Sequence, residues 1–490
     1  MPIMINRLLQ GSTLAAIVLV AACSSTAAPL QLTVPTSTNS ASSSTNIASS
    51  TSIAASTSSN APTVTEAEPT VESQPSSVSI PDSPAGAQLT WVLDESLSSS
   101  DEDFTAHFAP SFIDLVPIEE LRSGIAAVKV IAITEIVISE PNSLVVIADS
   151  DAGKLAISIN VDPQLPHQIV SLNAQPAELP AAPTSWEAVD SALAVVAPQT
   201  ALLAAEVATD GTLTTIRSTD SDASVPLGSS FKLYVLGTLL KAIEAGTIKW
   251  DDQLTITDEL KSLPSGEFQD LPSGSKVTVQ EAAEKMIQIS DNTATDILID
   301  RLGRDAVEST LSEMGMREAS RQRTLPFMTT KELFTLKWGL APDAFAAYAS
   351  SDIEHRRQTL TEIVGMRPDL ARFDDQAPIG IDTVEWFATP AEIAAAHIWL
   401  DVYRKTPGFE PVSGILGTNP GVPVSETAWA ELSFKGGSEP GVVFVGWLLH
   451  RNDGRRFVAV VSATNPNAAV GDLDVAAIAQ GVINLLALAP

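Results

Sequence analysis

Cysteine is nearly absent: the 490 residues hold only Cys23, which excludes an internal disulfide framework and a multi-cysteine metal site. Basic residues are scarce as well. Lys plus Arg number 28 against 59 Asp plus Glu, a formal charge of -31, and this balance argues against nucleic acid or an anionic membrane surface as the main partner. The five histidines show no ligand spacing and no phosphate-cradling glycine loop occurs, so neither a metal nor another cofactor is expected. Long apolar runs are missing too; residues 14–20 form one that is too short to span a bilayer.

What is present divides the chain into zones. Arg7, the apolar run at 14–20 and the small residues Ala21 and Ala22 read as an export signal. Cys23 follows directly, and the segment resembles a bacterial lipoprotein cleavage box. That likeness implies a signal over residues 1–23, lipidation at Cys23 and an exported chain anchored in the cell envelope by lipid. Residues 24–86 are Ser, Thr, Ala and Pro with few large apolar side chains, a composition expected to stay disordered with a reach on the order of 40–50 Å. Residues 87–177 change character. Trp91, Phe104, Phe108 and Phe112 fall near a helical spacing, and β-like runs follow around 128–138, 143–148 and 155–161. This predicts a small α+β unit, then a Pro-rich linker over 178–185.

Residues 186–490 begin with two apolar-alternating segments around Asp210-Gly211, a dipeptide suited to a hairpin turn. The leucine spacing predicts a helix from Ser229 to a stop at Gly246, a second from Thr278 with Glu281 completing a capping box, and a third over 293–302 ahead of Gly303. Late strands over 441–449 and 456–463 flank Asn452-Asp453-Gly454, and residues 472–488 close the chain as an amphipathic helix. Strands at both ends around a helical middle predict an antiparallel sheet backed by the last helix, with an all-helical insertion beside it.

Three short motifs carry the chemistry. Ser229-Ser230-Phe231-Lys232 sets a hydroxyl and an amine three residues apart at a helix start, so both leave one face. A serine hydroxyl needs a base to attack at neutral pH, and a lysine of depressed pKa can serve. Ser290-Asp291-Asn292 follows between two predicted helices, and Lys435-Gly436-Gly437-Ser438 lies on a strand entering the final sheet. Each has a bland reading as a cap, a turn or a bulge; in order and in matching context they are specific.

Together the motifs resemble those of class A β-lactamases and the wider penicillin-recognising serine enzymes, across nearly two thirds of the chain. The resemblance implies a five-stranded antiparallel sheet flanked by helices plus a helical lobe. It implies Ser229 as the acylated nucleophile, Lys232 as base, and Ser290 as the proton donor to the leaving group. Asn292, Lys435, Gly437 and Ser438 would bind substrate, with the amides of Ser229 and Ser438 forming the oxyanion hole. Two departures stand out. Lys435-Gly436-Gly437 lacks the hydroxyl usual after the lysine, and residues 321–330 lack the glutamate and asparagine that hold the deacylating water, with Glu318 and Glu332 only flanking them.

The two-part plan also resembles the serine hydrolases encoded in clavulanic-acid gene clusters, on residues 104–112, 326–330 and 385–388. That likeness implies a cystatin- or nuclear-transport-factor-like first domain and esterase activity. The expected function is an acyl-serine hydrolase with slow or no β-lactam turnover, acting on a β-lactam, an ester or a peptidoglycan-like peptide. Two alternatives stay open: a competent β-lactamase with another water activator, and a catalytically silent wall-binding lipoprotein. His107 and His167 are expected to be surface or packing residues rather than ligands, and His355, His397 and His450 to be structural.

Overall fold

The computed structural model describes residues 78–490 except 114–115, 152, 178–179, 263–264 and 369–376. The expected export signal, Cys23 and the expected disordered segment up to residue 77 lie outside the described residues. Contacts divide the chain into two units, residues 1–178 and 179–490.

Among the described residues of the first unit, four α-helices precede a sheet. Helix α1 (Pro84–Asp94) starts inside the segment expected to be disordered, because Ser83 accepts the Gly86 amide at 3.1 Å and Pro84 supplies a preset first turn. Helix α2 (Asp101–His107) carries a Ser100/Asp103 capping box, followed by α3 (Pro110–Ile113) and α4 (Ile118–Ala127). Phe104, Phe108 and Phe112 keep helical spacing, yet the chain breaks at Phe108, the C-cap of α2. Their rings still pack consecutively, with centroids 5.7 and 5.2 Å apart. The sheet is an antiparallel meander of β1 (Val130–Glu140), β2 (Ser143–Ser150), β3 (Gly153–Val161) and β4 (Ile169–Pro176). Strand β4 is absent from the sequence reading: its run Ile169-Val170-Ser171-Leu172 is short, and pairing with β3 rather than local pattern fixes it.

The second unit begins with α5 (Trp186–Val196), β5 (Gln199–Val207), β6 (Leu213–Thr219) and the two-residue β7 (Val225–Pro226). Helix α6 (Lys232–Glu244) and the small hairpin β8 (Gln253–Thr255) and β9 (Lys276–Thr278) lead into the helical lobe. That lobe holds α7 (Val279–Gln288), α8 (Asn292–Leu302), α9 (Arg304–Thr310), α10 (Glu318–Thr324), α11 (Thr330–Phe334), α12 (Pro342–Ser350) and α13 (Ile353–Glu362). The chain returns through β10 (Phe387–Ala388), α14 (Pro390–Asp401) and α15 (Pro411–Gly417) to β11 (Trp429–Glu439), β12 (Val442–Arg451), β13 (Arg456–Thr464) and α16 (Asp472–Ala487).

The five-stranded antiparallel sheet runs in the order β11-β12-β13-β5-β6. It is buried on both faces, which explains the nearly continuous apolar runs of its inner strands. Trp447, Leu449, Phe457, Ala459 and Val461 join the core beneath α5 and α16, while Phe444, Leu448, Val458 and Val460 join the core of the helical lobe. Successive side chains alternate between the two layers, as strand geometry requires. Helix α6 is buried at every position from Lys232 to Leu240, so it forms the spine of the lobe core rather than an amphipathic surface helix.

The helix expected from Ser229 starts later. Residues 228–231 form a 3-10 turn and the α-helix begins at Lys232. Gly228 has φ +47, where an L side chain is strained, and a Cβ there would stand 2.8 Å from the Ser438 amide nitrogen. The turn is therefore shaped by contact with β11. The capping box at Thr278/Glu281, the stop at Gly303 and the turn over 452–454 occur as the sequence predicts.

Candidate active site

Ser229, Lys232, Ser290, Asn292 and Lys435 come from three elements: the turn into α6, the α7–α8 junction, and β11. Lys232 and Lys435 are buried. The Lys232 ammonium nitrogen lies 2.6 Å from the Ser290 carbonyl oxygen, 2.7 Å from Asn292 Oδ1 and 3.2 Å from Ser290 Oγ. Lys435 Nζ reaches the same Ser290 hydroxyl at 3.0 Å. Ser290 is thus the meeting point of two buried amines.

Burial depresses both lysines. Removal from water drives Lys232 down to about 7, with the charges of Asp291 and Asp296 resisting the fall. Lys435 is lowered well below its ordinary value, first by burial and then by Lys232. Two ammonium groups sharing one hydroxyl in a dry site are costly, so an uncharged Lys232 is accessible near neutral pH.

The backbone at Ser290 is held in a left-handed conformation, φ 61, which costs a non-glycine residue about 1–2 kcal/mol. Its neighbours keep it there. Asp291 caps α8 through Ala294 N at 2.7 Å and binds the amides of Glu267 and Phe268 at 2.7 and 2.9 Å. Ser265 Oγ donates to the Ser290 carbonyl at 2.8 Å, and the Asn292 amide donates to the Ser265 carbonyl at 2.9 Å. Gly266 leaves room for the Asp291 carboxylate, where any Cβ would collide.

On the opposite side Gly437 lies against the backbone of the nucleophile turn. A Cβ on Gly437 would collide with the Leu227 carbonyl and the amide nitrogens of Ser229 and Ser230. The amides of Ser229 and Ser438 therefore flank one glycine-lined contact between Gly228 and Gly437. Ser230 turns inward and donates toward the carbonyls of Lys435 and Phe444 at 3.4 and 3.3 Å. Phe231 stacks on Trp386 with centroids 3.6 Å apart and meets Phe327 edge-on at 5.7 Å. The Leu227 amide donates to the Trp386 carbonyl at 2.9 Å. Paired amides at a fixed spacing can hold a developing oxyanion.

The acids flanking residues 321–330 are committed elsewhere. Glu318 sits on the surface paired with Arg321 at 2.9 Å. Glu332 caps α11 through the Thr329 amide at 2.8 Å and binds Arg304 at 2.6 Å. Thr330 occupies the interior instead. Its hydroxyl lies 2.8 Å from Asp296 Oδ1, 2.8 Å from Ser262 Oγ and 3.3 Å from the Asn292 carbonyl. Asp296 also accepts the amides of Thr330 and Lys331 at 2.7 and 2.9 Å, and burial pushes its carboxyl up to about 7 against those hydrogen bonds. Sequence reasoning missed Ser265, Asp296 and Thr330. Asp296 follows Asn292 by one helical turn on α8 and shares its face, the one available signal.

The histidines engage other partners. His355 pairs with Asp352 at 2.7 Å, His397 with Ser433 at 2.8 Å and His450 with Asp401 at 2.9 Å. In the first unit His107 stacks on Trp91 and bonds Gln88 at 2.7 Å, and His167 Nδ1 lies 2.9 Å from the Asp162 carbonyl.

Residues 194–363 match the sequence model of the Beta-lactamase enzyme family, and residues 80–164 match that of the ORF 12 gene product N-terminal domain. Similar solved structures include the beta-lactamase of Sphaerobacter thermophilus DSM 20745, at 23% identity and TM-score 0.43, covering 62% of this chain and 99% of that one. PBP-A is similar at 17% identity and TM-score 0.40, over 63% of this chain and 98% of that one. The beta-lactamase of Francisella tularensis is similar at 13% identity and TM-score 0.43, over 61% and 97%. No curated protein matches the chain. The second unit has the β-lactamase/transpeptidase-like fold, an antiparallel five-stranded sheet joined to a helical lobe, and the stretch similar to the Beta-lactamase enzyme family lies within it.

Proposed function

We propose that the second unit is an acyl-serine hydrolase in which Ser229 becomes acylated and Lys232 acts as base. The observation that carries this reading is the convergence of two buried amines on the Ser290 hydroxyl. A neutral Lys232 has two N–H bonds and one lone pair. The two short contacts to the Ser290 carbonyl and Asn292 Oδ1 use the N–H bonds. The lone pair is left to take the proton of Ser229 directly, or of Ser290.

The steps balance as follows. Ser229 Oγ attacks the acyl carbon while Lys232 accepts its proton, and the amides of Ser229 and Ser438 stabilise the oxygen anion. Collapse breaks the bond to the leaving group, which takes the Ser290 proton as Lys232 replaces it. Lys435 donates to Ser290 Oγ and holds that hydroxyl in line. Water then cleaves the ester, returning Ser229. Glu318 and Glu332 have other partners, so no carboxylate is assigned to activate that water and deacylation is slow.

The substrate class follows from the same features. Gly436 supplies no hydroxyl next to Lys435, and burial depresses the lysine charge, which weakens the hold on a substrate carboxylate and favours an ester or small amide. The two-part order supports the likeness to clavulanic-cluster serine hydrolases. The leader and the lone Cys23 support export and lipid anchoring. Stopped-flow hydrolysis of a chromogenic cephalosporin and of an activated phenyl ester tests the reading. A burst of one equivalent followed by slow turnover is expected. Sustained fast cephalosporin turnover would favour a competent β-lactamase, and no burst with either substrate would favour a silent binding protein.

A further inference from the structure

Apart from the Ser290 network, the lobe buries a second ionisable cluster. Lys337, in the π-helical turn over 335–339 that follows α11, lies with Nζ 2.6 Å from Glu439 Oε1 and 3.6 Å from Glu385 Oε1. The three side chains are 0, 9 and 1% exposed. One Glu385 oxygen accepts the Trp386 amide at 2.9 Å, and the other is the one facing Lys337 Nζ at 3.6 Å. Two carboxylates against one ammonium would leave a net charge in a dry site. Burial, then the Glu439 charge, hold the Glu385 carboxyl well above the usual range, which favours its protonated form.

The cluster's position gives it a use. Glu439 follows Ser438 and shares a face of β11 with Lys435 and Gly437, since side chains at i, i+2 and i+4 point one way along an unbroken register. Glu385 precedes Trp386, whose carbonyl accepts the Leu227 amide and whose indole stacks on Phe231. One ion cluster thus ties the end of β11 beyond Ser438 to the segment that holds the Ser229 turn. We propose that Lys337, Glu385 and Glu439 are positioning residues that set the separation of the Ser229 and Ser438 amides. The inference rests on reading those amides as the oxyanion site.

The test measures acylation of the full chain by a fluorescent penicillin or an activated phenyl ester, resolving initial binding from the acylation rate constant. Lys337→Met is expected to lower the rate constant tenfold or more while initial binding changes less than threefold. Glu385→Gln, which mimics the protonated acid, is expected to keep the parent rate within threefold. A Lys337→Met rate equal to the parent's, or a tenfold loss in Glu385→Gln, overturns the proposal. Should Lys337→Met fail to fold, Glu439→Gln takes its place: a tenfold fall supports the proposal and a parent rate overturns it. Absence of any acylation in the parent would instead reject the proposed function on which it depends.

Discussion

Replacing Lys232 by Met gives a stability change whose size depends on pH in a calculable way. The lysine moves from its ordinary 10.5 to about 7 on burial. Between those values the unfolded chain holds a proton that the folded one has released, so folding stability contributed by this group rises with pH. A displacement of one pH unit corresponds to about 1.4 kcal/mol. Allowing for the half-protonated folded state at pH 7, the gain from pH 7 to pH 9 is about 2 kcal/mol. Methionine has no such proton. Parent stability minus variant stability is therefore expected to climb by about 2 kcal/mol over that range, the variant being relatively most favoured at and below neutral pH. Lys435 is present in both proteins, but Lys232 adds to its depression, so the variant loses part of that pH dependence as well and the difference keeps the same sign. Urea unfolding of both proteins at pH 6, 7, 8 and 9 measures the difference. Parallel curves would refute a buried lysine that sheds its proton near neutrality, and with it the assigned base.

Two further outcomes follow from the same geometry. The acylation rate constant is expected to fall with acid around a midpoint near 7, to about a tenth of its plateau one unit below; stopped-flow acylation from pH 5.5 to 9 checks this, and a flat profile contradicts it. Gly437→Ala forces a methyl group into the Leu227 carbonyl and the Ser229 and Ser230 amides. It is expected to slow acylation by about 10²-fold, the usual loss when one oxyanion donor is misplaced, and a variant acylating at the parent rate would show that contact to be irrelevant.

Local rules made much of this structure legible. The Thr278/Glu281 box, the Gly303 stop and the hairpin over 452–454 each follow from one short stretch of chain. Within each of the motifs at 229–232, 290–292 and 435–438 local geometry sets which side chains share a face, but that Lys232, Ser290, Asn292 and Lys435 meet across 58 to 145 residues follows only from the resemblance to class A β-lactamases. What escaped is nonlocal. Asp296 meets Thr330 across 34 residues, and Lys337 meets Glu439 across 102; no periodicity encodes either pair. The displaced helix start at Lys232 likewise depends on β11 pressing on Gly228. The first unit's β4 owes its strand state to pairing with β3.

Intact-protein mass spectrometry with peptide mapping, after exposure to a penicillin and to an activated ester, tests the central claim most directly. A single covalent adduct of the acyl group on Ser229 is expected, absent in Ser229→Ala. An unmodified Ser229 with every probe, or an adduct that persists in Ser229→Ala, would contradict it.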